Sequence, residues 1–145
     1  MTGARGRLAG AVMAGIAVVA CGRAAEPPVE AAEAARVEIL SPASGDTVGL
    51  PVTLQLRAAG IAIVAASGVR EEGMAHHHLL VNVDHSPDDQ PVPTGSGYIH
   101  LGSGASEWVL DSLPAGAHRI IARLAWGDHV PVAGAGTDTI VIVVR

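Results

Sequence analysis

Val52-Thr53-Leu54-Gln55-Leu56-Arg57 alternates apolar and polar side chains without a break. Successive side chains of a strand point to opposite faces, so a period of two puts Val52, Leu54 and Leu56 on one face and Thr53, Gln55 and Arg57 on the other. A helix would scatter both sets around its circumference. Upstream, Val37-Glu38-Ile39-Leu40 runs into Ser41-Pro42-Ala43-Ser44-Gly45-Asp46-Thr47, a strand followed by a turn. Downstream, strands are predicted over residues 61–64, 77–83, 98–101, 107–110, 117–126 and 139–144. Turn residues punctuate the gaps, at Ser86-Pro87-Asp88-Asp89, Pro91-Val92-Pro93, Leu113-Pro114-Ala115-Gly116 and Gly134-Ala135-Gly136.

Seven or eight short strands at this spacing, with no helical period of useful length, predict an all-β fold. The expected form is an immunoglobulin-like antiparallel sandwich. In the 117–126 strand the even positions Ile120, Ala122, Leu124 and Trp126 should face the core, leaving Arg119 and Arg123 to water. Residues 36–145 have the usual size of one domain with one core.

The first 20 residues carry Arg5 and Arg7, then an apolar run from Leu8 to Ala20, and no acidic side chain. This is the pattern of a signal peptide. The run falls well short of the roughly 20 residues that a membrane-crossing helix needs. Val18-Val19-Ala20-Cys21 resembles the bacterial lipobox, in which a diacylglycerol is attached to the cysteine before cleavage ahead of it. Cys21 is the only cysteine, so no disulfide is available to the fold. Residues 21–35, low in complexity and rich in Ala, Glu and Pro, read as the lipidated cysteine and a flexible tether. The expected address is the cell envelope, anchored to a membrane through lipid. In an organism with two membranes, the lack of an aspartate after Cys21 points to the outer one, with the domain facing the periplasm.

Loss of the signal removes Arg5 and Arg7 but no acid, leaving seven arginines against 14 acidic residues, a net charge of −7 with neutral histidine. A nucleic-acid partner is excluded on that balance, because no basic patch remains to neutralise phosphates.

Histidine carries the chemical signal: seven occur, all between positions 76 and 129, three of them consecutive. If residues 77–83 form a strand with Leu79, Val81 and Val83 inward, His77 points to the core, while His76, His78, Asn82 and Asp84 share the other face. Histidines at i and i+2 have Cα atoms about 6.5–7 Å apart, which imidazole arms can close onto one ion. One flat strand cannot complete the coordination, so further ligands must come from elsewhere. His100 in Tyr98-Ile99-His100-Leu101 projects from the polar face and is the best third ligand. His129, in Gly127-Asp128-His129-Val130-Pro131, is the fourth, with Asp128 as an acceptor that could orient a ligand. His77, His118 and Met74 are secondary candidates: His118 reads better as a hydrogen-bonded residue at the start of its strand, and a lone Met is more often packing. His85 reads as a solvated loop residue.

Signatures of catalysis are missing. Gly95-Ser96-Gly97 and Gly102-Ser103-Gly104 have the wrong spacing for a nucleophile elbow and read as turns. The sequence contains neither His-Glu-x-x-His nor a phosphate-binding loop.

Ala75-His76-His77-His78-Leu79-Leu80-Val81-Asn82, Ile99-His100-Leu101-Gly102-Ser103-Gly104-Ala105-Ser106-Glu107 and the stretch ending at His118 carry a resemblance. From about Val37 to Val144 the chain resembles the bacterial domain of unknown function numbered 4399. Asn82 stands where that family has aspartate, and its histidine-bearing ending is shortened here to Gly127-Asp128-His129-Val130-Pro131-Val132, which keeps one histidine. The resemblance implies an extracytoplasmic β domain with clustered histidines and supplies no activity. The leading expectation is a module binding copper or zinc through His76, His78, His100 and His129. The alternative is a non-catalytic envelope interaction or scaffold domain, with structural histidines and a protein partner.

Overall fold

The computed structural model describes Gly3 and residues 32–145; the expected signal peptide, Cys21 and the tether as far as residue 31 lie outside the described residues. Among the described residues nine strands follow in chain order: β1 (Arg36–Ser41), β2 (Thr47–Val48), β3 (Val52–Ala59), β4 (Ala62–Ile63), β5 (Met74–Val81), β6 (Tyr98–Leu101), β7 (Glu107–Leu110), β8 (Gly116–Ala125) and β9 (Asp138–Val144). No helix occurs among the described residues. The fold is all-β and sandwich-like.

One sheet has the order β1-β3-β7 and the other β2-β9-β8-β5-β4, with β6 also paired to β5. Most pairs are antiparallel, as expected for strands joined by short turns. The two-residue strands depart from the antiparallel expectation: β2 pairs with β9 and β4 with β5 in parallel. Pieces this short have no pattern of their own and pair where the longer strands leave an edge.

The alternation in β3 is realised: Leu54 and Leu56 are buried, and Thr53, Gln55 and Arg57 are exposed. They meet Val37 and Ile39 of β1 and, from the other sheet, Leu79, Ile120, Leu124, Ile140 and Ile142. Each such side chain contributes about 1.5–3 kcal/mol on leaving water. Trp126, expected in the core, is partly buried and packs against it, with the Arg70 guanidinium 4.9 Å from its ring centroid.

The second face of the larger sheet does not meet water. Along β5 every residue from Ala75 to Val81 is buried, and on β8 Ile121, Arg123 and Ala125 are buried as well. The expectation that Arg123 faces solvent is therefore corrected, since it is only 5 % exposed. Segment 84–97 folds back over this face and is clamped from below. Arg123 Nη1 donates to the Ser86 carbonyl (2.8 Å) and hydroxyl (3.0 Å), and Nη2 donates to Asp88 (2.6 Å). Val92 is buried in the same layer. β5 thus has a core on one side and a covered polar cluster on the other, which replaces the half-wet strand expected from its parity. It also ends earlier than predicted: Asn82 already has a left-handed backbone, φ 58°, a region that asparagine tolerates.

Candidate metal centre

β5 sends His76 and His78 to the covered face and His77 to the core. The backbone ladder sets the rest. His78 lies directly opposite His100 of antiparallel β6, so both rings project from the same side of the sheet. His129 arrives from the turn after β8. Its N–H donates to the Trp126 carbonyl (2.8 Å), the Val92 N–H donates to its carbonyl (2.9 Å), and its φ of 69° is left-handed. Asp128 builds that turn by accepting from the Val130 N–H (3.1 Å). The carboxylate expected to orient a histidine is instead a local turn brace.

All six pairs among His76, His78, His100 and His129 have ring centroids 4.6–5.8 Å apart. The contacts run through one type of atom: His76 Nε2 is 2.9 Å from His78 Nε2, and His100 Nε2 is 3.2 Å from His129 Nε2. Ligand nitrogens of His76, His100 and His129 all lie within 4.8 Å of one another, close enough to hold a metal ion. Nitrogens about 2.0–2.1 Å from a tetrahedral ion are roughly 3.3 Å apart, near the two contacts of 2.9 and 3.2 Å, while the three-ring group would have to draw in from separations of up to 4.8 Å and His78 stands outside it. That group of three contains no carboxylate.

Gly102 makes room for the third ligand. A Cβ there would stand 2.2 Å from His100 Cε1 and 2.6 Å from its Nε2, so the ring occupies the space that any other residue would fill. Gly102-Ser103-Gly104 has the pattern of a turn, and the only sequence signal of this further role is that Gly102 stands two positions from His100.

Burial, followed by repulsion from neighbouring rings, pushes His76 down to about 4 and His78 down to about 3, and burial also lowers His100. The buried rings are accordingly neutral near pH 7, the form that offers a lone pair to a metal. His76 Nδ1 is buried without a hydrogen-bond partner, a cost of about 1–3 kcal/mol.

The remaining candidates stand elsewhere. His77 Nδ1 donates to the Ala105 carbonyl (3.0 Å) on the core side. His118 Nε2 donates to the Pro114 carbonyl (2.7 Å), leaving Nδ1 to accept from the Asn82 side-chain amide (2.8 Å); the Asn82 oxygen accepts from the Arg119 N–H (3.0 Å). Met74 is 41 % exposed and lines a different pocket with Val64, Ser67, Val69 and Glu71. His85 is exposed.

A pocket of ≈ 260 Å³ opens against three of the clustered rings, His78, His100 and His129. A larger one, ≈ 450 Å³, lies around Asn82, Ser96, Leu110 and Pro114 and includes no histidine. The titratable groups make the smaller pocket the chemically relevant one.

The model of the domain of unknown function DUF4399 matches residues 52–145. The chain belongs to the DUF4399 family. The matched span holds β3 to β9 and all seven histidines, so the DUF4399 core includes the whole cluster. No curated protein and no solved structure matches the chain.

Proposed function

We propose that this DUF4399 domain belongs to an exported lipoprotein, anchored through Cys21, and binds a single copper or zinc ion through His76, His78, His100 and His129. The observation that supports the reading is the grouping of His76, His100 and His129, whose ligand nitrogens lie within 4.8 Å of one another, with His78 Nε2 joined to it by a 2.9 Å contact to His76 Nε2. Hydrogen bonding accounts for both ring nitrogens of His118 and for Nδ1 of His77, whose Nε2 is buried without a partner. An all-imidazole set suits copper and zinc, and their relative affinity for nitrogen ligands favours Cu(II). Exposure of His100 at the mouth of the cluster suits an ion that can enter and leave.

The test is a titration of the full chain, without a polyhistidine tag, with Cu(I), Cu(II) and Zn(II) while the thermal midpoint is followed. At least one metal raises the midpoint of the parent and not that of the His76→Ala, His78→Ala double variant. No metal-dependent rise in the parent overturns the proposal.

A second reading, a non-catalytic domain docking on another envelope protein, draws on Trp108 and Val109, which are 37 % and 46 % exposed on edge strand β7. It predicts that the same double variant loses stability with metal rigorously removed and gains nothing from metal in the parent.

A further inference from the structure

Four neutral imidazoles leave a divalent ion with its full charge, and the structure offers little to offset it. No acidic side chain lines the pocket beside the cluster among the described residues; its other walls are Val92, Pro93, Thr94, Gly95 and Tyr98. A cation stands on the same face: Arg123 pairs with His78 in the β5–β8 ladder, its guanidinium engaged by Asp88, and the carboxylate next to His129, Asp128, is held by the Val130 N–H. An uncompensated charge in a half-buried, low-dielectric setting is costly, and a mobile anion is the remaining way to offset it.

The pocket gives such an anion a route and a berth. Its ≈ 260 Å³ would hold a molecule of a few heavy atoms. Three of the four rings, His78, His100 and His129, form one of its walls, so anything inside it lies against those rings. Thr94 and Tyr98 add hydroxyls to the lining, and the exposed His100 leaves the mouth open to solvent. We infer that the ion held by the histidine cluster carries an exchangeable small anion, bound directly to the metal from the pocket walled by Val92, Pro93, Thr94 and Tyr98. The inference rests on the metal-binding reading and adds to it one further coordination position, the fifth where all four rings bind and the fourth where three do, with a preference for anionic ligands.

Azide is the probe. The full chain is loaded with one equivalent of Cu(II), and azide is titrated while the visible absorption and the paramagnetic resonance spectrum are recorded. A saturable azide-to-copper band, with a matching change in the resonance parameters, is the expected result. Thr94→Trp, at an exposed position that fills the pocket mouth, weakens azide binding at least tenfold while copper affinity stays within threefold of the parent. Tyr98→Trp is the second blocking variant should the first fail to fold. A copper spectrum that azide leaves unchanged overturns the anion position while the metal site stands, and so does parent-like azide affinity in the folded blocking variants. The absence of any bound-copper spectrum overturns the metal reading and this inference together.

Discussion

His78 and His100 face each other across the β5–β6 ladder with their ring planes 26° apart and centroids 5.0 Å apart. Backbone pairing fixes this relationship, so it does not depend on a loop. If both rings are ligands, replacing either by Ala removes a donor from a prepositioned pair. Metal affinity then falls by more than the ten- to hundredfold typical for loss of an orienting partner. His118→Ala serves as the contrast: it removes the imidazole from the Asn82 amide and the Pro114 carbonyl, which sit on exposed residues and can turn to water, costs about 0.5–1.5 kcal/mol of folding stability per hydrogen bond and leaves metal affinity unchanged. Calorimetric metal titration and urea unfolding of the three variants separate the two effects.

Gly102→Ala tests the seat of His100. The new methyl would overlap the ring edge, with the nearest approach at 2.2 Å. His100 is exposed, so its ring can swing outward at small cost to the fold. The expected outcome is a thermal midpoint within a few degrees of the parent and metal affinity reduced about as much as in His100→Ala. A variant that keeps full affinity would show that His100 Nε2 is not needed where it stands.

The site was legible where parity governs it. His76, His78 and His100 share a face because strand residues two apart, and residues directly paired across strands, must do so. His129 was legible only as a neighbour in sequence, since its approach depends on a left-handed turn and on the contact of its carbonyl with Val92. Burial of the cluster was not legible. It comes from segment 84–97, which has no periodicity and is held down by the non-local contacts of Arg123 with Ser86 and Asp88. A polar face beneath a clamped loop has the same sequence pattern as one beneath water. The same lack of pattern hid the parallel pairings of β2 and β4.

Protonation supplies a separate check on the metal-free fold. His76 and His78 titrate in the folded protein at about 4 and about 3, below the 6.5 of an exposed histidine, mainly through burial, with His100, His129 and, for His78, Arg123 adding repulsion. Between those values the unfolded chain binds more protons than the folded one, so stability rises with pH and is fully present above about 6.5. It is lost progressively as pH falls from 6.5 toward 4 and 3. Urea midpoints of metal-free protein across this range decrease steeply toward acid, and the His76→Ala, His78→Ala variant shows a flatter profile. An equally steep acid slope in that variant would assign the loss to other groups.

Arg123→Met removes the clamp on segment 84–97 while keeping most of the buried volume. Asp88 can return to water, since its side chain is 66 % exposed, but the Ser86 carbonyl and hydroxyl lose their donor inside the protein. Leaving a buried polar group without its partner costs about 1–3 kcal/mol, so the loss at Ser86 sets the expected cost and the solvated Asp88 carboxylate adds little. The cover over His78 should loosen with it, since Val92, in the same segment, reaches the cluster through the His129 carbonyl. Limited proteolysis should therefore cut Arg123→Met within 84–97 under conditions that leave the parent intact, and bound metal should slow that cutting by tying His78 to His129. Cleavage at the same rate with and without metal, in a variant that still binds it, would mean that the cluster and its cover are not coupled.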